Sequence, residues 1–137
     1  MAIVDRRSLP VAVHVASASP AEVRLVEATL DDRFLADFPP RLIGDKAYDS
    51  DPLDAQLLHQ FGLDLIAPHK DNRVRPVTQD GRPLRRYRRR WVVERFFAWL
   101  HNSRRLVTRW ERHVENFLAM LHLACIRILL RALRDGF

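Results

Sequence analysis

The spacing of apolar residues divides the chain into a first half of short β-branched runs and a second half of long amphipathic segments. Short runs rich in Val and Ile, bounded by turn residues, are typical of strands. Four strands are predicted on this basis, at residues 1–5, 11–16, 41–45 and 63–67. The first two are expected to pair as a hairpin, because only a short turn separates them.

Two helices are predicted between these strands. Ser19 is expected to cap a helix that runs to Phe34, whose inner face is Val23, Val26, Leu30 and Phe34. Ser50 or its neighbour is expected to cap a second helix at residues 52–61, with Leu53, Leu57 and Leu58 turned inward. Gly62 follows this helix at the position where glycine commonly ends one.

Residues 84–100 are predicted to form one amphipathic helix, around which the rest of the chain is organised. At about 100° per residue, one broad arc of this helix is apolar. The arc contains Val92, Val93, Phe96, Phe97, Trp99 and Leu100. The polar sector contains one carboxylate, Glu94, among several arginines. Two interpretations of Glu94 are open. It is either part of a salt-bridged helix surface or a metal-binding carboxylate on a helix that also binds nucleic acid phosphates.

The last predicted helix covers residues 114–134. Its apolar stretch is interrupted by His122, Arg127 and Arg131, so a buried helix is favoured over a membrane span. Cys125 is the only cysteine and is interpreted as a packing residue. One cysteine excludes an internal disulfide, and with no visible signal peptide the simplest compartment is a reducing cytoplasm.

Strands that alternate with helices predict a single α/β domain, with a mixed sheet flanked by helices. Two of the strands end in an acid, Asp5 and Asp45, and strand ends are where open α/β folds place ligands. The net charge of +6 is unevenly distributed. Residues 1–68 contain 6 basic and 11 acidic side chains, whereas residues 69–112 contain 14 basic and 4 acidic ones. A basic surface for an acidic partner is therefore expected.

Four segments resemble the DDE transposases of bacterial insertion sequences. They are Ile3-Val-Asp5, Leu42-Ile-Gly-Asp-Lys-Ala-Tyr-Asp-Ser50, Leu65-Ile-Ala-Pro-His69 and the signature Tyr87-x-x-Arg90-x-x-x-Glu94, which Trp91 to Leu100 extend. The resemblance implies an RNase H-like fold. It implies further that Asp5, Asp45 and Glu94 hold Mg²⁺, or Mn²⁺ in its place, while DNA is cut and joined. Such chemistry uses two metal ions roughly 3.5–4 Å apart, one at the attacking oxygen and one at the leaving oxygen.

The resemblance also implies contacts with double-stranded DNA at element ends and target. Tyr87 and Arg90 would hold the DNA backbone near the cut. Further expected DNA contacts are Arg88, Arg89, Arg104, Arg105 and Lys46, although for Lys46 a solvated lysine is the favoured interpretation. A homodimer in the DNA complex and a nucleoid-associated place in the bacterial cytoplasm are expected; a membrane is not. An RNA-binding domain is the less favoured reading, because no Gly-x-x-Gly loop or stacked-aromatic sheet motif is present.

Two departures from the family pattern affect the expected activity. His101 occupies the position of the signature's final lysine. The chain also resembles only the C-terminal part of a transposase, with an N-terminally truncated catalytic domain at residues 1–137 and no N-terminal DNA-binding region. Four residues before Asp5 are expected to anchor its strand poorly. Two functions remain open: an enzyme that cuts and joins DNA, and a catalytically inactive remnant that only binds DNA non-specifically.

Overall fold

The computed structural model of the chain describes residues 1–78 and 85–136. Four short strands and two helices form the first part, and helices form the described remainder. Strands β1 to β4 are Ala2–Val4, Pro10–Val13, Arg41–Ile43 and Asp64–Ile66. Helices α1 to α5 are Glu22–Asp31, Asp51–Phe61, Trp91–His101, Arg104–Val107 and Val114–Arg134. The predicted α/β class is confirmed.

The strands form two separate two-stranded sheets. In the first, β1 and β2 pair antiparallel as the predicted hairpin, with a register shift after Ile3. In the second, β3 and β4 pair parallel, and α2 makes the crossover between them. The single mixed sheet that the sequence predicts is thus divided in two within the described part of the chain. Ile3 of β1 still packs against the apolar cluster that contains Leu65 of β4, so side chains connect the two sheets where backbone hydrogen bonds do not.

Two apolar clusters make up the core. One lies under the second sheet and joins it to α1 and α2. The other joins the first sheet to α3 and α5, with Phe96 fully buried at its centre. Helix α3 contacts β1 as well as α4 and α5, so it connects the two parts of the fold. The organising role predicted for this segment is consistent with that position.

The helix predicted for residues 84–100 is shorter than expected. Helix α3 begins at Trp91, and a 3₁₀ turn at Arg85–Arg89 precedes it. Leu84 lies outside the described residues. Of the predicted apolar arc, Phe96 and Leu100 are buried, whereas Phe97 is exposed because its direction from the helix axis differs by about 100° from that of Phe96.

Four other details of the predicted helices differ from the structure. Helix α1 has no side-chain cap from Ser19, because the chain is still extended at Ala21 and the helix begins at Glu22. It ends before Phe34, whose amide donates to the carbonyl of Val11 instead. The other two concern α2, which begins at Asp51: Ser50 lies at its N-cap as predicted but makes no side-chain cap bond, and Leu58 is exposed while Leu57 is buried. Gly62 ends α2 with a φ of 64°, as predicted.

Helix α5 has the predicted bounds but is buried on one side only. Cys125 belongs to the buried side, and burial raises the pKa of its thiol to about 11, as a packing role requires. The opposite side exposes an apolar row: Leu123, Ile126, Leu130 and Leu133. By length and composition alone this helix could cross a membrane, and a single such helix is weak evidence for a span. The prediction of a wholly buried helix is corrected.

Candidate functional site

Asp5 lies at the end of β1 and shapes the turn that follows. Its Oδ1 accepts hydrogen bonds from the amides of Arg7 and Leu9, both at 2.8 Å. Its own amide donates to the carbonyl of Leu9 at 2.9 Å. Aspartate commonly closes turns in this way, because its short side chain reaches the backbone two residues on. The carboxylate is therefore fixed by its turn, and the expectation of a poorly anchored Asp5 is corrected.

Asp45 follows β3 and caps the 3₁₀ turn at Lys46–Tyr48. Its Oδ1 accepts from the amide of Ala47 at 2.8 Å. Gly44 is required just before it, because a Cβ there would lie 2.9 Å from a ring carbon of Tyr48. Burial, followed by the carboxylates of Glu22 and Asp45, raises the pKa of Tyr48 to about 12, so its hydroxyl stays protonated.

Glu94 lies in the first turn of α3, with about two thirds of its side chain exposed. Its nearest basic partner is Arg90, one helical turn earlier, at 3.7 Å from Nη2 to Oε1. An exposed pair of this kind contributes about 0–1 kcal/mol and is easily exchanged for another partner. The salt-bridged surface interpretation describes Glu94 in this conformation, and the carboxylate remains accessible to a ligand.

The three carboxylates have the right chemistry for Mg²⁺ but do not form a ready-made ligand cluster. Carboxylate oxygens are the ligands that Mg²⁺ prefers. The hydrogen bonds seen within residues 1–78 and 85–136 use Oδ1 of Asp5 and Oδ1 of Asp45, leaving each Oδ2 available. Over the same ranges no group of three or more His, Cys, Asp or Glu side chains is arranged to hold a metal ion. Convergence of Asp5, Asp45 and Glu94 on one ion stays a prediction.

Tyr87 and Arg90 form a pair in front of α3. An Nη1 of Arg90 donates to the Tyr87 hydroxyl at 2.9 Å, and the guanidinium carbon lies 5.4 Å from the centre of the ring. Arg88 and Arg89, in the 3₁₀ turn between them, are exposed. The segment just before Glu94 therefore contains three exposed arginines and a half-buried phenol, of which Arg90 contacts Glu94.

Other members of the predicted basic surface already have acidic partners. Lys46 Nζ lies 2.7 Å from Asp71, whose hydrogen bond and charge raise the lysine pKa. Arg105, on α4, lies 3.4 Å from Glu111, whereas its neighbour Arg104 is exposed. Trp110 is 78% exposed, so it does not pack into the core.

A buried ion-pair network around Asp49 was missed by sequence reasoning. Asp49 is only 5% exposed and accepts from His69 Nδ1 at 2.8 Å and from Arg73 at 2.9 Å. Arg73 also contacts Asp51 at 2.7 Å. Burial opposes ionisation of Asp49, but hydrogen bonds from the Lys70 amide and His69, with the charge of Arg73, outweigh it and lower its pKa.

This network ties the loop after β4 to the start of α2. Arg75 also pairs with Asp51, at 3.1 Å, so both Arg73 and Arg75 are engaged with acidic side chains. Nearby Asp54 is affected in the opposite direction: burial, then the charges of Asp51 and Asp49, raises its pKa to about 6. The sequence did contain a signal for this network, namely three aspartates within residues 49–54 and two arginines within residues 73–75 that could pair with them. The basic surface is smaller than the charge count of residues 69–112 indicates.

Comparisons with known proteins agree on one family. The family of transposase DDE domains matches residues 1–129. A Burkholderia cepacia protein, provisionally named as the transposase for insertion sequence element IS402, is 33% identical over 145 residues. The match covers 96% of this chain, which spans 62% of the length of that relative. No solved structure matches significantly. The resemblance predicted from the four sequence segments is confirmed.

Proposed function

Because the chain belongs to the family of transposase DDE domains, we propose that it acts as the catalytic domain of an insertion-sequence transposase. Its reaction would be the cutting and joining of DNA phosphodiesters at element ends. The observation that carries this proposal is the family match over residues 1–129, which spans all three candidate carboxylates and the Tyr87–Arg90 pair. The domain would comprise residues 1–137.

In the proposed site, Asp5, Asp45 and Glu94 hold divalent metal ions, Mg²⁺ or Mn²⁺ in its place. When bound, such ions supply positive charge at the attacking and leaving oxygens of the phosphodiester. The two aspartates would present the oxygens that their turns do not use, and Glu94 would exchange Arg90 for the metal. Three converging carboxylates would repel one another unless a cation lay between them, so the proposed site depends on the bound metal.

The proposed fold is RNase H-like. In support, a β-hairpin, a parallel βαβ unit and α3 follow one another along the chain. Asp5 follows the first strand of the hairpin, Asp45 follows the first strand of the βαβ unit, and Glu94 lies on α3. Ile3 and Leu42 pack against one apolar cluster, so β1 and β3 border the same part of the core, and pairing of β1 with β3 would join the two sheets. Such a join would bring Asp5 and Asp45 to neighbouring strand ends.

The proposed partner is double-stranded DNA, both the element ends and the target. The exposed arginines on either side of α3 (Arg88, Arg89 and Arg104) are available for phosphate, and Arg90 and Tyr87 lie next to Glu94, where the cut would occur. Arg105 and Lys46 would first have to release Glu111 and Asp71. A homodimer in the DNA complex and a nucleoid-associated place in the cytoplasm complete the proposal.

Metal-dependent nicking of supercoiled plasmid tests the proposal. We expect the purified chain to convert plasmid to the open circular form with Mg²⁺ or Mn²⁺ and to stop when EDTA removes the metal, because phosphate transfer in this site requires the ion's charge. The measurement is the rate of conversion on agarose gels, with Ca²⁺ as a control for charge screening. Nicking that persists in EDTA would contradict the proposed chemistry.

A chain that binds DNA without cutting it is the second candidate function. One observation favours it: Glu94 is paired with Arg90 in this conformation. This candidate predicts salt-dependent DNA binding and no nicking with any metal. The plasmid assay therefore separates the two functions directly.

Replacing Arg88, Arg89 and Arg104 together with alanine should weaken binding of any DNA duplex and flatten its salt dependence. Each lost phosphate contact reduces the slope of log K against log salt by about 0.9, so three contacts reduce it by nearly 3. The measurement is fluorescence anisotropy with a labelled duplex at several salt concentrations. As a matched control, alanine at the ion-paired Arg75, Arg131 and Arg134 should leave the slope close to that of the natural chain. Equal slopes for both triple variants would place the DNA surface elsewhere.

A further inference from the structure

Arg95, the residue after Glu94, is held between two tryptophans of the same helix. Its guanidinium carbon lies 4.7 Å from the ring centre of Trp91 and 5.2 Å from that of Trp99. These rings are four residues before and after it on α3, so they flank one face of the helix. Stacking of this kind favours arginine, whose planar cation fits against aromatic rings while its N–H groups remain free to donate.

The guanidinium group of Arg95 also donates a hydrogen bond to the turn that follows Asp5. Arg95 Nε donates to Ser8 Oγ at 2.8 Å, across 87 residues of sequence. Ser8 is completely buried and has a φ of 70°, a left-handed conformation that few residues other than glycine adopt. Its amide donates to the carbonyl of Asp5 at 3.0 Å. One hydrogen bond thus connects the helix that carries Glu94 to the turn that carries Asp5.

We propose that Arg95 is a positioning residue, which fixes the Asp5 turn relative to Glu94 so that their carboxylates can share metal ions. The role rests on the proposed function of these two acids. Asp5 and Glu94 belong to elements far apart in sequence, and surface carboxylates alone would not maintain their relative placement. Arg95 supplies this connection through a side chain that is itself fixed at both faces. Groups behind metal ligands commonly change metal affinity by about 10–100-fold.

Two variants test the connection itself. Ser8→Ala removes only the hydroxyl acceptor, and Arg95→Ala removes the donor and the stacking. In both, we expect amide hydrogen exchange of Arg7 and Leu9, the two donors to the Asp5 carboxylate, to become about tenfold faster. Arg95→Lys should restore part of the protection, because an ammonium can still donate to Ser8.

Thr29→Val is the matched control. Like Ser8, Thr29 is a buried residue with a hydroxyl group, but it lies on α1, away from the Asp5 turn. Unchanged exchange at Arg7 and Leu9 in both test variants would overturn the inference.

The second measurement concerns the metal. We expect Ser8→Ala and Arg95→Ala to raise the Mn²⁺ dissociation constant by about tenfold or more. This constant is measured from the electron paramagnetic resonance signal of free Mn²⁺. The Mn²⁺ concentration for half-maximal nicking should rise by the same factor, and Thr29→Val should change neither value. Faster amide exchange without any change in Mn²⁺ affinity would show that Arg95 is structural only, and would overturn its positioning role.

The two measurements keep failure of this inference apart from failure of the proposed function. If the natural chain neither binds Mn²⁺ nor nicks plasmid, the proposed function fails and a positioning role for a metal site fails with it. Amide exchange would still report whether Arg95 holds the turn. If the natural chain is active but the Arg95 and Ser8 variants match it in amide hydrogen exchange and in Mn²⁺ affinity, only the inference about Arg95 is wrong.

Discussion

Glu94→Gln is expected to reduce metal-dependent nicking of supercoiled plasmid by about a thousandfold. Glutamine keeps the size of the side chain but removes the negative charge that would bind a divalent ion. Charge stabilisation by such an ion is worth several kcal/mol, and each ~1.4 kcal/mol corresponds to a factor of ten in rate. Because Glu94 is exposed and only loosely paired, the substitution should leave the fold unchanged. The rate of plasmid conversion at saturating Mg²⁺ measures the effect.

Glu115→Gln provides the matched control. Glu115 is also an exposed glutamate in the first turn of a helix, but on α5, where no role in metal binding is proposed. We expect it to nick plasmid at the rate of the natural chain. DNA affinity should not fall in Glu94→Gln, since removing a negative charge beside the arginines cannot weaken phosphate binding. Equal nicking by the two variants would exclude Glu94 from the catalytic site.

Local sequence patterns were sufficient for much of the fold. The bounds of α5 follow from a long, strongly periodic apolar segment, and the end of α2 follows from Gly62, which adopts the positive φ that its position requires. The β1–β2 hairpin and the βαβ arrangement of the second sheet follow equally from short β-branched runs with a helix between the last two. These features depend on residues close together in the chain, where sequence patterns are most informative.

Contacts between distant residues account for most of what the sequence did not predict. Helix α1 ends early because the amide of Phe34 donates to Val11, a contact that helix propensity does not contain. The network of Asp49 with His69 and Arg73 joins residues 20 and 24 positions apart. In each case a specific tertiary hydrogen bond replaced the pattern expected from neighbouring residues.

The candidate site was predicted as a set of residues and not as an arrangement. Resemblance to a family implies that Asp5, Asp45 and Glu94 form the site, but it contains no information on how each carboxylate is held in this chain. The anchoring of Asp5 shows the difference. The number of residues before it indicated a poorly held strand end, whereas the turn amides of Arg7 and Leu9 and the Arg95–Ser8 hydrogen bond restrain it.

Phe96→Ala is expected to lower the free energy of unfolding by about 3–5 kcal/mol, because it empties the centre of the cluster that joins α3 and α5 to the first sheet. The free energy of unfolding of a domain of this size is about 5–15 kcal/mol, so the substitution removes a large part of it. Urea denaturation followed by circular dichroism measures the change. The midpoint should fall while the slope with urea stays constant, as expected for a change in stability alone.

Phe97→Ala is the control, since the neighbouring ring is the same size but 42% exposed. Much of its surface already meets water, so its removal leaves no closed cavity and should cost about 1 kcal/mol or less. The comparison separates burial from the loss of an aromatic side chain on α3. Equal losses for both variants would show that Phe96 is not the centre of this core. The packing that holds Glu94 and Arg95 against β1 would then have to come from other residues of the helix.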